Sequence, residues 1–236
     1  MMWSEKYRPK NIVDLVGNEE ARYDFVEWFT KWKKGMKPIL LVGPPGIGKS
    51  TLLNMIGLLD HPTQGKVMID GFDTSNLTDN EISEFRNEKL GFVFQFANLL
   101  ADLTVLENVL LPSQIQFDSS NILDKAKMIL EQVGLGDQLY KRANKISGGQ
   151  AQRAAIARGL VNNPTIVLAD EPTGNLDSVT AENVVQLMKK MAKELNQTFI
   201  VVTHERAQFG SVDRVITVKD GRVFEGDHST KMEVIA

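Results

Sequence analysis

The chain has 236 residues, a formal net charge of −3, three histidines and no cysteine. Its length suits one large domain, with or without a small subdomain. The slightly acidic balance argues against nucleic acid as a partner, because proteins that bind polyanions are normally basic. The lack of cysteine excludes disulfides and thiolate metal sites. No apolar run approaches the roughly 20 residues that span a bilayer, so any membrane association is expected to go through a partner protein.

The first predicted element is a helix over residues 18–35, whose two ends carry residues typical of helix termini. Asn18 is a candidate N-cap, and Gly35 offers a left-handed stop. Aromatic residues recur at helical spacing and form one face of this helix: Phe25, Trp28, Phe29 and Trp32. We interpret this face as core packing, since large aromatic side chains are mostly buried.

After residue 35, short apolar runs alternate with helical patterns. The predicted strands are 38–42, 66–70, 90–94, 165–169, 198–202, 214–218 and 222–224. The predicted helices cover 79–87 and 179–195, with a helix-rich stretch from about 106 to 160. The turn Lys219-Asp220-Gly221 predicts a hairpin between the last two strands. This alternation is typical of an α/β fold with a mainly parallel sheet, into which the helix-rich stretch is inserted as a subdomain.

Residues 43–51 read GPPGIGKST and match the pattern G-x-x-x-x-G-K-[ST] between a predicted strand and a predicted helix. Glycines let backbone N–H groups surround a phosphate, and the helix N-terminus adds a favourable potential. Lys49 is expected to reach the β- and γ-phosphates, Ser50 to bind Mg²⁺ and Thr51 to contact the α-phosphate. The alternative is a tight turn with a solvated lysine, which the complete match disfavours. The predicted nucleotide-binding residues of this loop are Gly43, Pro44, Pro45, Gly46, Ile47, Gly48, Lys49, Ser50 and Thr51.

An acidic pair follows the strand predicted at 165–169. Asp170 and Glu171 would lie at the carboxyl edge of the sheet, where ligands bind in open α/β folds. Asp170 can hold the hydration shell of Mg²⁺, and Glu171 can polarise an attacking water. The alternative is a capping acid pair ahead of the helix after Pro172.

A second glycine-bearing helix start occurs at residues 146–153, which read ISGGQAQR. Ser147, Gly148 and Gly149 precede a helix predicted to begin near Gln150, and this pattern favours an anion-binding helix N-terminus. One nucleotide does not need two such cradles within one domain. We therefore expect these four residues to serve the nucleotide of a neighbouring molecule, the alternative being a serine-capped turn.

Three further polar residues follow predicted strands or the acidic pair. Gln95 and His204 are expected to face the γ-phosphate, Gln95 as a sensor of Mg²⁺ and water, and His204 as a hydrogen-bond partner. Asp177 is expected to bind at the nucleotide and couple two half-sites. The alternatives are satisfied polar groups at a sheet edge for the first two and a helix cap for Asp177. The predicted catalytic residues are thus Glu171, His204, Gln95 and Lys49, and the predicted metal ligands are Ser50, Gln95 and Asp170.

From about residue 43 onward the chain resembles an ABC-transporter ATPase. The phosphate loop, a glutamine loop (Gln95), a signature (146–150), a Walker B segment ending at Glu171, a D-loop (174–177) and a switch histidine (His204) occur in the family order. The connecting segments resemble the subfamily of lipoprotein release and macrolide export. The resemblance implies that two copies sandwich two ATP molecules, each signature facing the other copy's phosphate loop. It also implies a membrane subunit whose coupling helix binds around residues 97–111.

Residues 1 to about 48 do not fit that family, because the position expected to carry an adenine-stacking aromatic residue is Asp14. They resemble instead the start of an archaeal clamp-loader (replication factor C) large subunit of the AAA+ class, in which the segments 7–9 and 16–17 border the adenine. This resemblance suggests a fusion within the shared phosphate loop, with an N-terminal helix in place of the usual antiparallel strands. It leaves two alternative functions: a DNA-associated AAA+ fragment, or a chimeric chain with impaired activity.

The chain is thus predicted to be an α/β P-loop NTPase with three parts. Residues 1–42 form the clamp-loader-like segment, 43–95 and 161–236 the ATP-binding core, and 96–160 the helical signature subdomain. The predicted function is ATP hydrolysis, with Mg²⁺, as the nucleotide-binding subunit of an ABC transporter or cell-envelope export complex. The subunit is expected on the cytoplasmic face of the membrane, attached through its partner.

Overall fold

A computed structural model of the chain describes residues 39–44, 46, 48–62, 66–115, 121–219 and 222–226. The predictions for residues 1–38, including the helix at 18–35, lie outside the described residues. The chain divides into two compact units, one formed by residues up to 82 together with those from 200 onward, and the other by residues 83–199. The three-part division predicted from the sequence stays a prediction.

In chain order the described elements are β1 (Ile39–Val42), α1 (Lys49–Ile56), β2 (Met68–Ile69), β3 (Phe72–Asp73), α2 (Asp79–Lys89), β4 (Leu90–Val93), α3 (Val105–Leu110), α4 (Ile122–Gln132), α5 (Gly148–Leu160), β5 (Ile166–Asp170), α6 (Ser178–Glu194), β6 (Thr198–Thr203), α7 (Arg206–Phe209), β7 (Arg214–Lys219) and β8 (Arg222–Glu225). Short 3-10 helices cover Leu111–Ile115 and Ala143–Lys145. The predicted strands and helices after residue 38 are therefore confirmed, with shifts of a few residues at their ends. None of the described helices is both long enough and apolar enough to cross a bilayer.

In the first unit the strands run in the order β6, β1, β7, β8, and β6 belongs to this unit from Ile200 onward. Strand β1 is parallel to both neighbours, so that Val42 lies opposite Thr203 on one side and Thr217 on the other. All four β1 side chains are buried, as expected for a parallel strand covered on both faces. Strands β7 and β8 are antiparallel, which confirms the predicted hairpin.

The strand predicted at 66–70 is shorter in the structure and belongs to a second hairpin. Strand β2 pairs with β3 in an antiparallel two-stranded sheet, joined by Asp70 and Gly71. These two residues have φ angles of 54° and 78°. Two successive left-handed residues are the signature of a type I′ turn, whose twist matches that of the flanking strands. Gly71 therefore turns the chain back instead of ending an isolated strand.

In the second unit β4 and β5 are parallel, helix α5 packs against β4, and helices α3, α4 and α6 pack against α5. Helix α5 begins at Gly148, two residues earlier than predicted, because Ser147 and Gln150 form a capping box. Thr104 and Glu107 form the same arrangement at the start of α3. Hydrogen bonds from Thr104 lower the pKa of Glu107, so that this cap is ionised at neutral pH.

Strand β4 and helix α5 approach each other closely at two glycines. A Cβ atom built on Gly91 would lie 2.1 Å from the carbonyl oxygen of Gly159, a distance that only movement of the backbone could relieve. A Cβ atom on Gly159 would lie 3.2 Å from the carbonyl oxygen of Phe92. Gly159 costs about 1 kcal/mol of helix stability relative to alanine, and it permits the close contact between α5 and β4.

We predict that Gly91→Ala destabilises the chain by about 3 kcal/mol, because the added methyl group meets main-chain atoms of α5. Gly159→Ala is the matched control, since its contact is looser and its gain in helix propensity offsets the crowding to within about 1 kcal/mol. Urea unfolding followed by circular dichroism measures both. Equal midpoints for the two variants would contradict the close approach at Gly91.

Candidate functional site

The predicted phosphate loop joins β1 to α1 in the first unit. Gly46 and Gly48 have φ angles of 80° and 95°, in the left-handed region that other residues rarely adopt. A Cβ atom on Gly46 would meet nothing within 4 Å, so the backbone conformation, and not internal packing, is what requires glycine there. Left-handed residues just before a helix N-terminus form the kind of concavity that binds anions. Pro45 and Ile47, both predicted nucleotide-binding residues, lie outside the described residues.

Lys49 is the first residue of α1 and only 5% exposed. Its Nζ donates hydrogen bonds to the carbonyl oxygens of Gly43 and Pro44, at 2.7 and 2.8 Å. These neutral oxygens orient the ammonium group over the loop without neutralising its charge. Ser50 is half-buried and Thr51 is buried in the same helical turn. The solvated lysine of the alternative interpretation is therefore excluded.

His204 follows β6 directly, and the register of β6 with β1 decides where it lies. Because Thr203 is opposite Val42, the next residues, His204 and Gly43, leave adjacent strands at the same sheet edge. The His204 side chain is 41% exposed, and its Nε2 lies 3.6 Å from a carboxylate oxygen of Glu205. The first unit thus brings the histidine to the edge that carries the phosphate loop.

In the second unit the same logic applies to β4 and β5, where Val93 lies opposite Ala169. Asp170 ends β5 and is half-buried, and Gln95 comes two residues after the end of β4. Glu171 has a φ angle of 46°, which is uncommon for a residue other than glycine. Such conformations persist where the surrounding structure holds them, and they concentrate at functional sites.

The signature residues form the start of α5. The N–H of Gln150 donates to Oγ of Ser147 at 3.3 Å, and the N–H of Ser147 donates to the Gln150 side chain at 2.9 Å. The two glycines differ in their surroundings. A Cβ atom on Gly149 would lie 2.4 Å from Cγ2 of Thr180, whereas one on Gly148 would meet nothing within 4 Å. Packing within the chain therefore explains Gly149 but not Gly148.

A cavity of about 680 Å³ opens beside the signature, within the second unit. Its lining includes Ser147, Gly148, Gln150, Asn175 and Asp177. Asp177 is also the N-cap of α6, because its carboxylate accepts a hydrogen bond of 3.1 Å from the N–H of Thr180. Hydrogen bonds from Thr180 lower the pKa of Asp177, which keeps it ionised at neutral pH. Ser147 and Asp177 are therefore helix caps, as the alternative interpretations proposed. Both residues also line the cavity.

Several polar residues that hold this region together were missed by the sequence reasoning. They are Asn108, Gln152, Arg158 and Asn175, and each one binds main-chain carbonyl groups of residues 94–104. Gln152 is 2% exposed within the alanine-rich run of α5. A polar residue at such an apolar helix position could have indicated this role from the sequence, because buried polar side chains are almost always hydrogen-bonded.

Within the described ranges, no group of three or more histidine, aspartate or glutamate side chains could hold a metal ion. Ser50 in the first unit and Asp170 in the second each carry an oxygen donor of the kind that Mg²⁺ prefers, and this ion commonly uses one or two protein ligands beside substrate phosphates. The chemistry of each residue is therefore compatible with an ion that arrives with a nucleotide.

Comparison with known proteins identifies this set of motifs. The family model described as ABC transporter matches residues 33–174. The lipoprotein-releasing system ATP-binding protein LolD of Shewanella frigidimarina is 46% identical over 184 residues, which are 78% of this chain and 77% of that protein. The ABC transporter ATP-binding protein MJ1508 of Methanocaldococcus jannaschii is 42% identical over 217 residues, 92% of this chain and 96% of that protein.

These two matches also bear on the N-terminal segment. The family model begins at residue 33. The alignment with MJ1508 covers 92% of the chain, so it must begin before residue 43. The likeness to ABC proteins therefore extends ahead of the limit that the motifs predict.

Among solved structures, the dimeric ABC transporter cassette MJ0796 is 44% identical and superposes with a TM-score of 0.71, covering 82% of this chain and 86% of that chain. The same cassette is known as a dimer in a post-hydrolysis state with ADP and Pi. This likeness confirms the predicted P-loop NTPase fold with a mainly parallel sheet. The chain belongs to the ABC transporter ATP-binding family, and it is a nucleotide-binding subunit that hydrolyses ATP.

Proposed function

We propose that the chain is the motor subunit of a cell-envelope export or release complex, in which two ATPase copies enclose two ATP molecules. The observation that carries this proposal is the pair of helix N-termini suited to anions, one at Lys49 and one at Gly148. The second has an open approach that no contact among the described residues explains. The dimeric state of the cassette MJ0796 supports the same arrangement.

At the phosphate loop, each residue has a role that follows from its chemistry. Main-chain N–H groups of the loop bind the β-phosphate, and Lys49 offsets the charge that develops on the γ-phosphate. Ser50 and Asp170 would hold Mg²⁺, with Gln95 as a further oxygen ligand. When bound, the ion would neutralise charge on the phosphate oxygens. Glu171 accepts a proton from the attacking water, and His204 donates a hydrogen bond to the γ-phosphate.

At the signature, the roles belong to the neighbouring copy's nucleotide. Ser147 and the first N–H groups of α5 present a positive helix end, which favours a phosphate. Gly148 lets that phosphate approach the backbone, because no side chain stands in front of it. Asp177, held ionised as the cap of α6, contacts the other copy at the edge of the same cavity.

A matched pair of variants tests this arrangement. Glu171→Gln slows hydrolysis and is expected to accumulate an ATP-bound dimer on size exclusion. Adding Gly148→Glu should abolish that dimer, because the new carboxylate repels the neighbour's triphosphate. Glutamate at the first position of a helix suits its dipole and meets open space here, so the thermal unfolding of the monomer should not change.

Gly148→Ala in the same Glu171→Gln background separates charge from bulk, and it should weaken the dimer less than glutamate does. A dimer that survives Gly148→Glu unchanged, or a Glu171→Gln chain that stays monomeric at high ATP and protein concentration, would contradict the sandwich.

The membrane subunit is proposed to bind the docking loop, defined as residues 96–103. Phe96 and Leu100 are 65% and 53% exposed there, an arrangement typical of a protein-binding surface. Asn108 holds the loop in shape: its amide donates to the carbonyl of Leu100 at 3.0 Å and accepts from the N–H of Leu100 at 2.7 Å. Val105 and Val109 in α3 are fully buried, so these two residues of the predicted stretch 97–111 are not available to a partner in this conformation.

We predict that Leu100→Asp prevents binding to membrane vesicles of the organism that encodes the chain, after those vesicles have been stripped of their own ATPase. A charge in the centre of an apolar contact leaves a carboxylate desolvated without a partner. Leu123→Asp is the control, since Leu123 is 45% exposed on α4, outside the docking loop. Equal sedimentation of both variants with the vesicles would refute the assignment.

The relatives named above support neither the clamp-loader alternative nor the predicted fusion in residues 1 to about 48. An ATPase rate that depends on primed DNA would favour that alternative. A rate indifferent to DNA, together with ATP-driven dimerisation, favours the export subunit.

A further inference from the structure

The segment that follows β4, residues 94–98, is held by side chains from elsewhere in the second unit. The Gln152 amide donates to the carbonyl oxygen of Phe94 at 2.9 Å. The Arg158 guanidinium donates to the carbonyl oxygens of Ala97 and Asn98, at 2.7 and 2.8 Å. Both side chains come from α5, and Gln152 is almost completely buried. These bonds fix the two ends of the segment to the helix that begins with the signature.

Gln95, between those anchors, is held in a different way, by Asn175 of the D-loop. The Asn175 amide donates to the main-chain carbonyl of Gln95 at 3.1 Å, and the Gln95 amide donates to Oδ1 of Asn175 at 3.4 Å. The backbone passes close by, since a Cβ atom on Gly174 would lie 2.8 Å from Nε2 of Gln95. Both bonds are solvent-exposed and one is long, so this tether can open more easily than the buried anchors.

The hydrogen bond from Asn175 to the main-chain carbonyl of Gln95 determines which side-chain atoms form the second bond. A main-chain carbonyl can only accept, so Asn175 must turn its NH₂ group to Gln95 and present its Oδ1 on the other side. That oxygen needs a donor, and Gln95 meets it with its own NH₂ group. Oε1 of Gln95 is thereby left pointing away from Asn175. An amide oxygen presented in this way can bind a hard cation or accept a hydrogen bond from water.

Asn175 also lines the cavity beside the signature, together with Ser147 and Asp177. One residue therefore contacts Gln95 and borders the proposed position of the neighbouring copy's nucleotide. We infer that Asn175 is a positioning residue, which orients the Gln95 amide so that its oxygen, not its nitrogen, faces the Mg²⁺ and attacking water. The inference rests on the proposed function. Because Asn175 lines the cavity that a second copy would fill, the orientation of Gln95 would respond to the presence of that copy.

Steady-state kinetics of Asn175→Ala tests the inference. We expect kcat to fall about 10- to 100-fold, as is usual when a residue that orients a ligand is removed. KM for ATP should change less than kcat, because the phosphate loop and Lys49 still bind the phosphates, and the Mg²⁺ concentration at half-maximal rate should rise. The melting temperature should stay that of the unsubstituted chain, since both bonds are exposed. Gly174→Ala, which displaces the Gln95 amide by sterics, should reproduce the kinetic change with Asn175 intact.

A double-mutant cycle separates positioning from a general effect on the cavity. Asn175→Ala should add nothing to Gln95→Ala, because the residue that it orients is already gone. Asn183→Ala is the matched control: Asn183 lines the same cavity without bonding to Gln95, so any effect it has should multiply with that of Gln95→Ala. Additive effects of Asn175 and Gln95, or a raised KM with unchanged kcat, would overturn the inference. ATP-driven dimerisation of Glu171→Gln tests the proposed function separately, so the two failures are distinguishable.

Discussion

A nucleoside triphosphate concentrates several negative charges in a small volume, and we propose that the chain meets this charge with main-chain dipoles at helix N-termini. Lys49 adds a full positive charge at the first helix start, and two carbonyl oxygens hold its ammonium group in place. The second helix start, at Gly148, presents the N–H groups of α5 and the capping residue Ser147, and Arg153 and Lys190 also line the cavity beside it. We propose that one copy binds the nucleotide through the first helix start and that a second copy completes the site through the second.

The described glycines near the two helix starts and in the helix–strand contact are required for different reasons. Gly48 is required by its left-handed backbone, and Gly91 and Gly149 by atoms that a side chain would strike. Gly148 has neither reason, because its backbone is ordinary helix and its surroundings are open. Because Gly148 is the first residue of α5, its helix propensity matters little, and we propose that the open space in front of it admits the neighbouring copy's phosphate.

The sequence predicted most of this fold because its signals are local. Apolar runs located the strands, and the turn residues located the last hairpin. The start of α5 was placed two residues late, although the capping box of Ser147 and Gln150 was visible as S-x-x-Q. The hairpin of β2 and β3 was read as one strand, because Asp70 was assigned to the strand instead of the turn.

The sequence indicates candidate site residues where a motif carries the chemistry, as at Lys49 or Glu171, and it gives no such indication where tertiary contacts define the arrangement. The bonds from Asn175 and Gln152 join residues far apart in sequence, so no local pattern announces them. The positive φ of Glu171 is likewise set by its surroundings, since propensity alone opposes it.

The absence of cysteine allows a direct test of the central claim, that each copy completes its neighbour's nucleotide site. Two single-cysteine chains, Pro44→Cys in the phosphate loop and Lys145→Cys just ahead of the signature, would be prepared with Glu171→Gln in both. Pro44 and Lys145 are both exposed, so both cysteines are accessible in the free chain. With a short bismaleimide, the account predicts a cross-linked dimer in the ATP-containing mixture of the two chains, and little in either chain alone or without ATP. Cross-linking that is equal with and without ATP, or that is confined to identical chains, would contradict it.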